Sequence, residues 1–113
     1  MKRIIAVIRV EKFDDVKNAL DKLGYPGMTR SMVEGHGKQK GVKQQFRGTV
    51  YEVEFSSKMK IELVVPDKDV DNIVEAIVKN ARTGEVGDGK IFISPIERVI
   101  RVRTGEKDDE ALG

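Results

Sequence analysis

Residues 58–81 read Lys58-Met59-Lys60-Ile61-Glu62-Leu63-Val64-Val65-Pro66-Asp67-Lys68-Asp69-Val70-Asp71-Asn72-Ile73-Val74-Glu75-Ala76-Ile77-Val78-Lys79-Asn80-Ala81, and this stretch decides the fold. Its first half alternates: Met59, Ile61, Leu63 and Val65 interleave with Lys58, Lys60, Glu62 and Val64, the period-two pattern of a strand with one buried face. Pro66-Asp67 then opens a helix, because Val70, Ile73, Val74, Ile77, Val78 and Ala81 recur at three- and four-residue spacing and form one apolar stripe. A strand feeding directly into an amphipathic helix predicts a sheet with the helix laid on one face.

Working outward, the same pairing appears at the N-terminus. Residues 4–10 are a β-branched apolar run of strand length. Phe13, Val16, Ala19, Leu20 and Leu23 follow as a second helical stripe, with Gly24 as its stop and Pro26 just beyond. Residues 28–35 read as another strand. Residues 83–90 form a glycine-rich loop, and residues 91–93 and 96–103 read as strands around Ser94-Pro95. The halves match in pattern but not in residue identity, so no sequence repeat is present. Two strand–helix–strand halves make an α+β, ferredoxin-like βαββαβ sandwich with both helices on one face of an antiparallel sheet. At 113 residues the chain suits one domain, 1–113, with a long insert at about 36–57 and an acidic tail at about 104–113.

Composition narrows the chemistry. The chain has 21 Lys+Arg against 19 Asp+Glu, no Cys and a single His, His36. Disulfides, thiolate catalysis and thiolate metal sites are excluded together, and one His cannot build a His cluster within a chain. No segment approaches the roughly 18 apolar residues of a membrane span. The N-terminus reaches charge again at Arg9 without a small-residue cleavage site, so a cytoplasmic protein is expected. The adjacent acids Asp14/Asp15 and Asp108/Asp109 read as solvated pairs, and no Ser–His–acid set presents itself. A charge of +2 is too evenly mixed to imply nucleic acid, and the central strands lack the stacking aromatics of an RNA-binding sheet.

Three features point to binding. On the sheet face away from the helices, alternation places Arg3, Ile5, Val7 and Arg9 with Lys58, Lys60, Glu62 and Val64, and with Glu97, Val99, Arg101 and Arg103. Apolar and ionic residues interleaved in this way suit self-association, although a wetted antiparallel face reads the same. The loop Thr83-Gly84-Glu85-Val86-Gly87-Asp88-Gly89-Lys90 is either an anion-binding nest or a plain connector. It spells GxxxxGK, yet Ile91 stands where a Walker A loop needs Ser or Thr, and it joins helix to strand. Arg101 and Arg103, two residues apart, suit a polyphosphate if they share a strand face, and gatekeeping of an edge strand otherwise. The insert is polar and glycine-hinged and carries Phe46, Arg47 and Tyr51. It is too long for an ordinary connection, so it reads as a switch element or a disordered insertion.

Two segments carry a family resemblance: Phe46-Arg47-Gly48-Thr49-Val50-Tyr51 in the insert, and residues 83–93, continued by Arg101-Val102-Arg103-Thr104-Gly105-Glu106. In this order and spacing the chain resembles the P-II nitrogen-regulatory signal-transduction proteins along essentially its whole length. The resemblance implies a homotrimer whose insert is the protruding T-loop. It also implies ATP or ADP in the clefts between subunits, with Mg²⁺ and 2-oxoglutarate at the loop base. By position, Gly87, Asp88, Gly89, Lys90, Arg101 and Arg103 would hold the phosphates, helped by Lys38, while Thr29, Glu62 and Val64 would line the adenine and ribose region. Gln39 would reach Mg²⁺ and 2-oxoglutarate, and Lys58 and Gly87 would meet the latter. The family departs at Phe46, where Tyr is frequent, and at Lys38, where Arg is frequent. Tyr51 matches a position that some bacterial members uridylylate. Such proteins are sensors rather than enzymes, docking the T-loop, here with Arg47 and Tyr51, onto ammonium transporters, glutamine synthetase or other nitrogen regulators. An ATP-using enzyme in the same cleft, or a structural oligomer, would share these features.

Overall fold

The computed structural model describes residues 1–36 and 55–113, together with the backbone of residues 43–46 and 49–52. Strand β1 (Lys2–Arg9) leads through a short 3-10 turn into helix α1 (Phe13–Lys22), and strand β2 (Thr29–Gly35) follows. A separate hairpin of β3 (Lys43–Phe46) and β4 (Thr49–Glu52) comes next. Strand β5 (Ser56–Val65), helix α2 (Val70–Ala81) and strand β6 (Gly89–Pro95) complete the repeat of the first half. The main sheet is antiparallel with order β2-β5-β1-β6, the ferredoxin-like arrangement that the alternating strand and helix patterns predict.

The core follows the two periodicities. Ile4, Ala6 and Ile8 on β1 and Met59, Ile61, Leu63 and Val65 on β5 are buried beneath Phe13, Val16 and Leu20 of α1 and Ile73, Ile77 and Ala81 of α2. Register pairs Ile4 with Leu63 and Ala6 with Ile61, so the buried residues of neighbouring strands share a face. Gly24, at φ +89°, ends α1. Its N–H bonds the Asp21 carbonyl and the Tyr25 N–H bonds the Leu20 carbonyl, which closes the helix in a Schellman motif.

Three expectations need correction. Residues 96–103 are not a strand; beyond an isolated bridge between Ile100 and Lys107 they make no ladder. Although the outer edge of β6 is open, no described strand of this chain pairs with the segment. Its backbone groups turn to local partners instead: the Arg101 N–H to the Glu106 carbonyl at 2.8 Å, and the Gly105 N–H to the Arg101 carbonyl at 2.7 Å. Arg101 and Arg103 therefore do not project side by side from a strand, and Glu97 and Val99 do not join the open sheet face. The preceding strand is longer than residues 91–93, running through Ser94 to Pro95, where an edge position tolerates the missing N–H. The insert holds two paired four-residue strands rather than a structureless loop. Lys38, Gln39 and Arg47 lie outside the described residues, as does the side chain of Tyr51.

Ile77 is fully buried where α2 meets the sheet. Ile77→Ala should lower unfolding free energy by about 2–5 kcal/mol, the cost of a cavity in a packed core, measured by urea denaturation at fixed protein concentration.

Candidate functional site

The face of the sheet turned away from the helices carries the chemistry. Cross-strand register sets Arg9 opposite Lys58, Val7 opposite Lys60, Ile5 opposite Glu62 and Arg3 opposite Val64. On the other side of β1, Lys90 stands opposite Val7 and Phe92 opposite Ile5. Phe92 is 54% exposed, and Ile5, Val7 and Val64 are half-buried. Glu62 bridges two cations, Lys60 at 3.0 Å and Arg3 at 3.1 Å. The Lys60 contact first, and Arg3 with it, holds its carboxyl below the usual range.

At the Arg9 end of this face the loop between α2 and β6 folds over the sheet. Its organising group is the Asp88 carboxylate, which accepts the Thr83 and Gly84 backbone N–H groups at 2.9 Å each, the Thr83 hydroxyl, and Arg9 Nε at 3.0 Å. These donors, the Thr83 hydroxyl foremost, depress the Asp88 pKa far below that of an ordinary carboxylate. Arg9 also donates through Nη2 to the Val86 carbonyl at 3.0 Å, and Lys58 Nζ donates to the Gly87 carbonyl. Two cations of the sheet thus hold two carbonyls of the loop. Lys58 is only 9% exposed; burial, and next the neighbouring Arg9, lower its pKa.

Gly89 makes this approach possible. It has φ +105°, and a Cβ there would sit 1.7 Å from the Val7 carbonyl oxygen, so any side chain would force β6 away from β1. Behind the loop, on the helix side, lies a recess of about 300 Å³ lined mainly by Ile8, Val74, Ile77, Val78, Ala81 and Ile91. Its walls are apolar and do not suit an anion.

The expected site residues fall into three places. Lys58, Gly87, Asp88, Gly89 and Lys90 come together at the loop. Thr29 and Glu62 are register partners further along the same face, with Val64 beyond them. Arg101 and Arg103 leave from the far end of β6. Gly89 pairs with Ile8 at one end of β1 and Pro95 with Lys2 at the other, roughly 20 Å apart along a seven-residue strand. Arg101 there bonds Glu106 at 2.7 Å and the Gly113 carbonyl, while Arg103 makes no hydrogen bond or ion pair with another described residue. The family resemblance assigns Asp88 to the phosphates; its carboxylate here takes four donors from within the chain. Sequence reading missed Arg9 as a tether of the loop, a role that only the register reveals.

The chain is thus a ferredoxin-like domain with a tethered, cation-flanked glycine loop on its uncovered sheet face. Comparison with known proteins makes the family specific. A family model described as nitrogen regulatory protein P-II matches residues 1–106. The chain is 56% identical over 112 residues to the nitrogen regulatory protein P-II of Nostoc punctiforme, covering 99% of this chain and 100% of that one. It is 52% identical to nitrogen regulatory protein P-II 2 of Methanothermobacter thermautotrophicus, covering 99% of this chain and 97% of that one. It is also 52% identical to nitrogen regulatory protein P-II 1 of Escherichia coli, at 99% and 100%. The chain belongs to the P-II family of nitrogen regulatory proteins, and signal transduction in nitrogen regulation is the class of function that membership supports.

Acid should loosen the loop. Because the folded pKa of Asp88 lies below its unfolded value, its stabilising contribution is complete above the unfolded pKa of about 3.9 and drains away as pH falls toward the folded value. Asp88→Asn should therefore lower stability at neutral pH and flatten the loss between about pH 4 and pH 2 relative to the parent, read by urea midpoints across that range.

Proposed function

We propose that the protein is a non-enzymatic cytoplasmic sensor, a homotrimer that binds ATP or ADP together with Mg²⁺ and 2-oxoglutarate between subunits. It reports on nitrogen status by docking its insert, the T-loop, onto partners such as an ammonium transporter or glutamine synthetase. The observation that carries this reading is the division of the basic residues. The glycine loop with Lys58 and Lys90 lies at one end of the open face, whereas Arg101 and Arg103 leave from the other end of β6. A second copy of the chain would bring both groups to one polyphosphate. The half-exposed Phe92 and the half-buried Ile5, Val7 and Val64 supply apolar area for that contact, at roughly 1.5–3 kcal/mol per side chain fully buried.

The donor set fits the ligands. Lys90 and the amides of the glycine turn suit phosphate oxygens, and Arg forks add bidentate contacts. Lys58, opposite Arg9 in the register, adds a second cation suited to a carboxylate. Mg²⁺ would be reached by Gln39, the position that the family likeness assigns. Arg9, Lys58 and Lys90 flank the loop, and its Asp88 carboxylate is committed to four donors, an arrangement suited to holding an anion. No described helix is long and apolar enough to span a membrane, so contact with a transporter would be through docking. Arg47 and Tyr51 are the proposed docking contacts.

Light scattering should give the mass of three chains, and calorimetry should detect ATP or ADP; a stable monomer that binds neither would refute the proposal. Arg101→Ala combined with Arg103→Ala should weaken ATP binding by about a hundredfold or more, since two charge-assisted contacts of roughly 1.5–3 kcal/mol each are lost. Lys58→Ala should weaken 2-oxoglutarate more than ATP. ATP turnover beyond trace levels would favour an enzyme instead.

A further inference from the structure

We propose that Arg9 is the positioning residue of the glycine loop: it neutralises the carboxylate that folds the loop and ties that loop to the sheet, so that a polyanion can enter beside it. The inference rests on the nucleotide reading above and adds a residue to which that reading gives no role.

The loop contains its own anion. Asp88 occupies the backbone N–H groups of Thr83 and Gly84 and the Thr83 hydroxyl, donors that would otherwise face an incoming phosphate. Asp88 is therefore the internal ligand that shapes the turn, and Thr83 extends the arrangement by accepting the Glu85 N–H at 3.1 Å. A bare carboxylate next to a polyphosphate site would repel the ligand it helps to frame. Arg9 answers both needs with one fork. Nε meets Asp88 at 3.0 Å, and Nη2 meets the Val86 carbonyl at 3.0 Å, so the charge is cancelled and the loop is pinned at two points. The Arg9 and Asp88 side chains are 16% and 25% exposed, so solvent screens the pair less than a surface pair. Lys58, opposite Arg9 in the register, holds the next carbonyl, that of Gly87. The fork explains why Arg suits this position better than Lys: a single ammonium cannot present two diverging donors in a fixed plane.

The test uses the full chain in its native assembly and has two arms. In the ligand-free protein, hydrogen exchange of the peptide spanning residues 82–90 should quicken about tenfold in Arg9→Gln, as expected from losing a charge-assisted contact, while peptides from β5 and α2 stay protected. Arg9→Lys should restore part of that protection. In the second arm, calorimetry with ATP, ADP and adenosine should show Arg9→Gln weakening ATP by about tenfold and ADP less, with adenosine unchanged. The double variant Arg9→Gln/Asp88→Asn should bind ATP no more weakly than Arg9→Gln alone, because the repulsive charge leaves with its partner. Multiplying losses in the double variant would make Arg9 a direct phosphate contact and overturn the proposal. Unchanged exchange in Arg9→Gln would overturn it whatever the nucleotide does. A parent protein that binds no nucleotide would overturn the functional reading instead, leaving the exchange arm to decide the role of Arg9.

Discussion

The chain turns on one close approach. Where Gly89 crosses Val7, two backbones come so near that no Cβ fits between them, and that contact fixes where β6 begins. Because β6 starts there, the loop before it must fold back across the end of the sheet, directly over Arg9 and Lys58. The short-range chemistry of the site follows from it: the carbonyls of Val86 and Gly87 fall within reach of two cations, and Asp88 falls within reach of the amides at Thr83 and Gly84. Without the approach, the glycine loop would be the plain connector that its composition equally allows.

Much of the fold was legible because its elements bury a single face each. The alternation of Met59, Ile61, Leu63 and Val65 and the stripe from Val70 to Ala81 are local patterns, and the burial of both along β5 and α2 follows them closely. The tail was misread for a physical reason. Ile100, Val102 and their neighbours alternate like a strand, but alternation specifies a strand only where a partner offers a ladder. No described strand pairs with residues 96–103, and Val102 is left 99% exposed. A strand-like pattern without a strand is what a segment shaped for another chain's surface looks like in isolation, which accords with the proposed assembly. The hairpin of β3 and β4 is not legible in the polar composition of the insert, although Arg47-Gly48 separates two short runs by two residues, a recognised hairpin spacing.

The site was legible by residue type and illegible by connection. Glycines beside lysine announce an anion loop, and Lys58 on a strand face announces a cation. The pairing of Arg9 with Asp88 spans 79 positions and exists only because β1 and β6 are register neighbours, which no local pattern encodes. An acid in a phosphate-type loop is anomalous until its four donors are seen, after which it is the loop's internal strut.

In the proposed sensor the electrostatics would centre on Lys58. Lys58 is held nearly out of water, and its pKa is lowered first by burial and then by Arg9; an anion beside it would oppose both with a favourable charge interaction. A ligand shifts a protein between arrangements only through interactions that differ between them. Lys58 also grips the Gly87 carbonyl, so an anion competing for that ammonium necessarily alters the hold on the loop. Arg9, fixed to Asp88 and Val86, does not share in that competition. In the proposed sensor one cation would answer a ligand while its neighbour keeps the frame still, so that binding at the sheet would be felt in the loop without the loop coming apart.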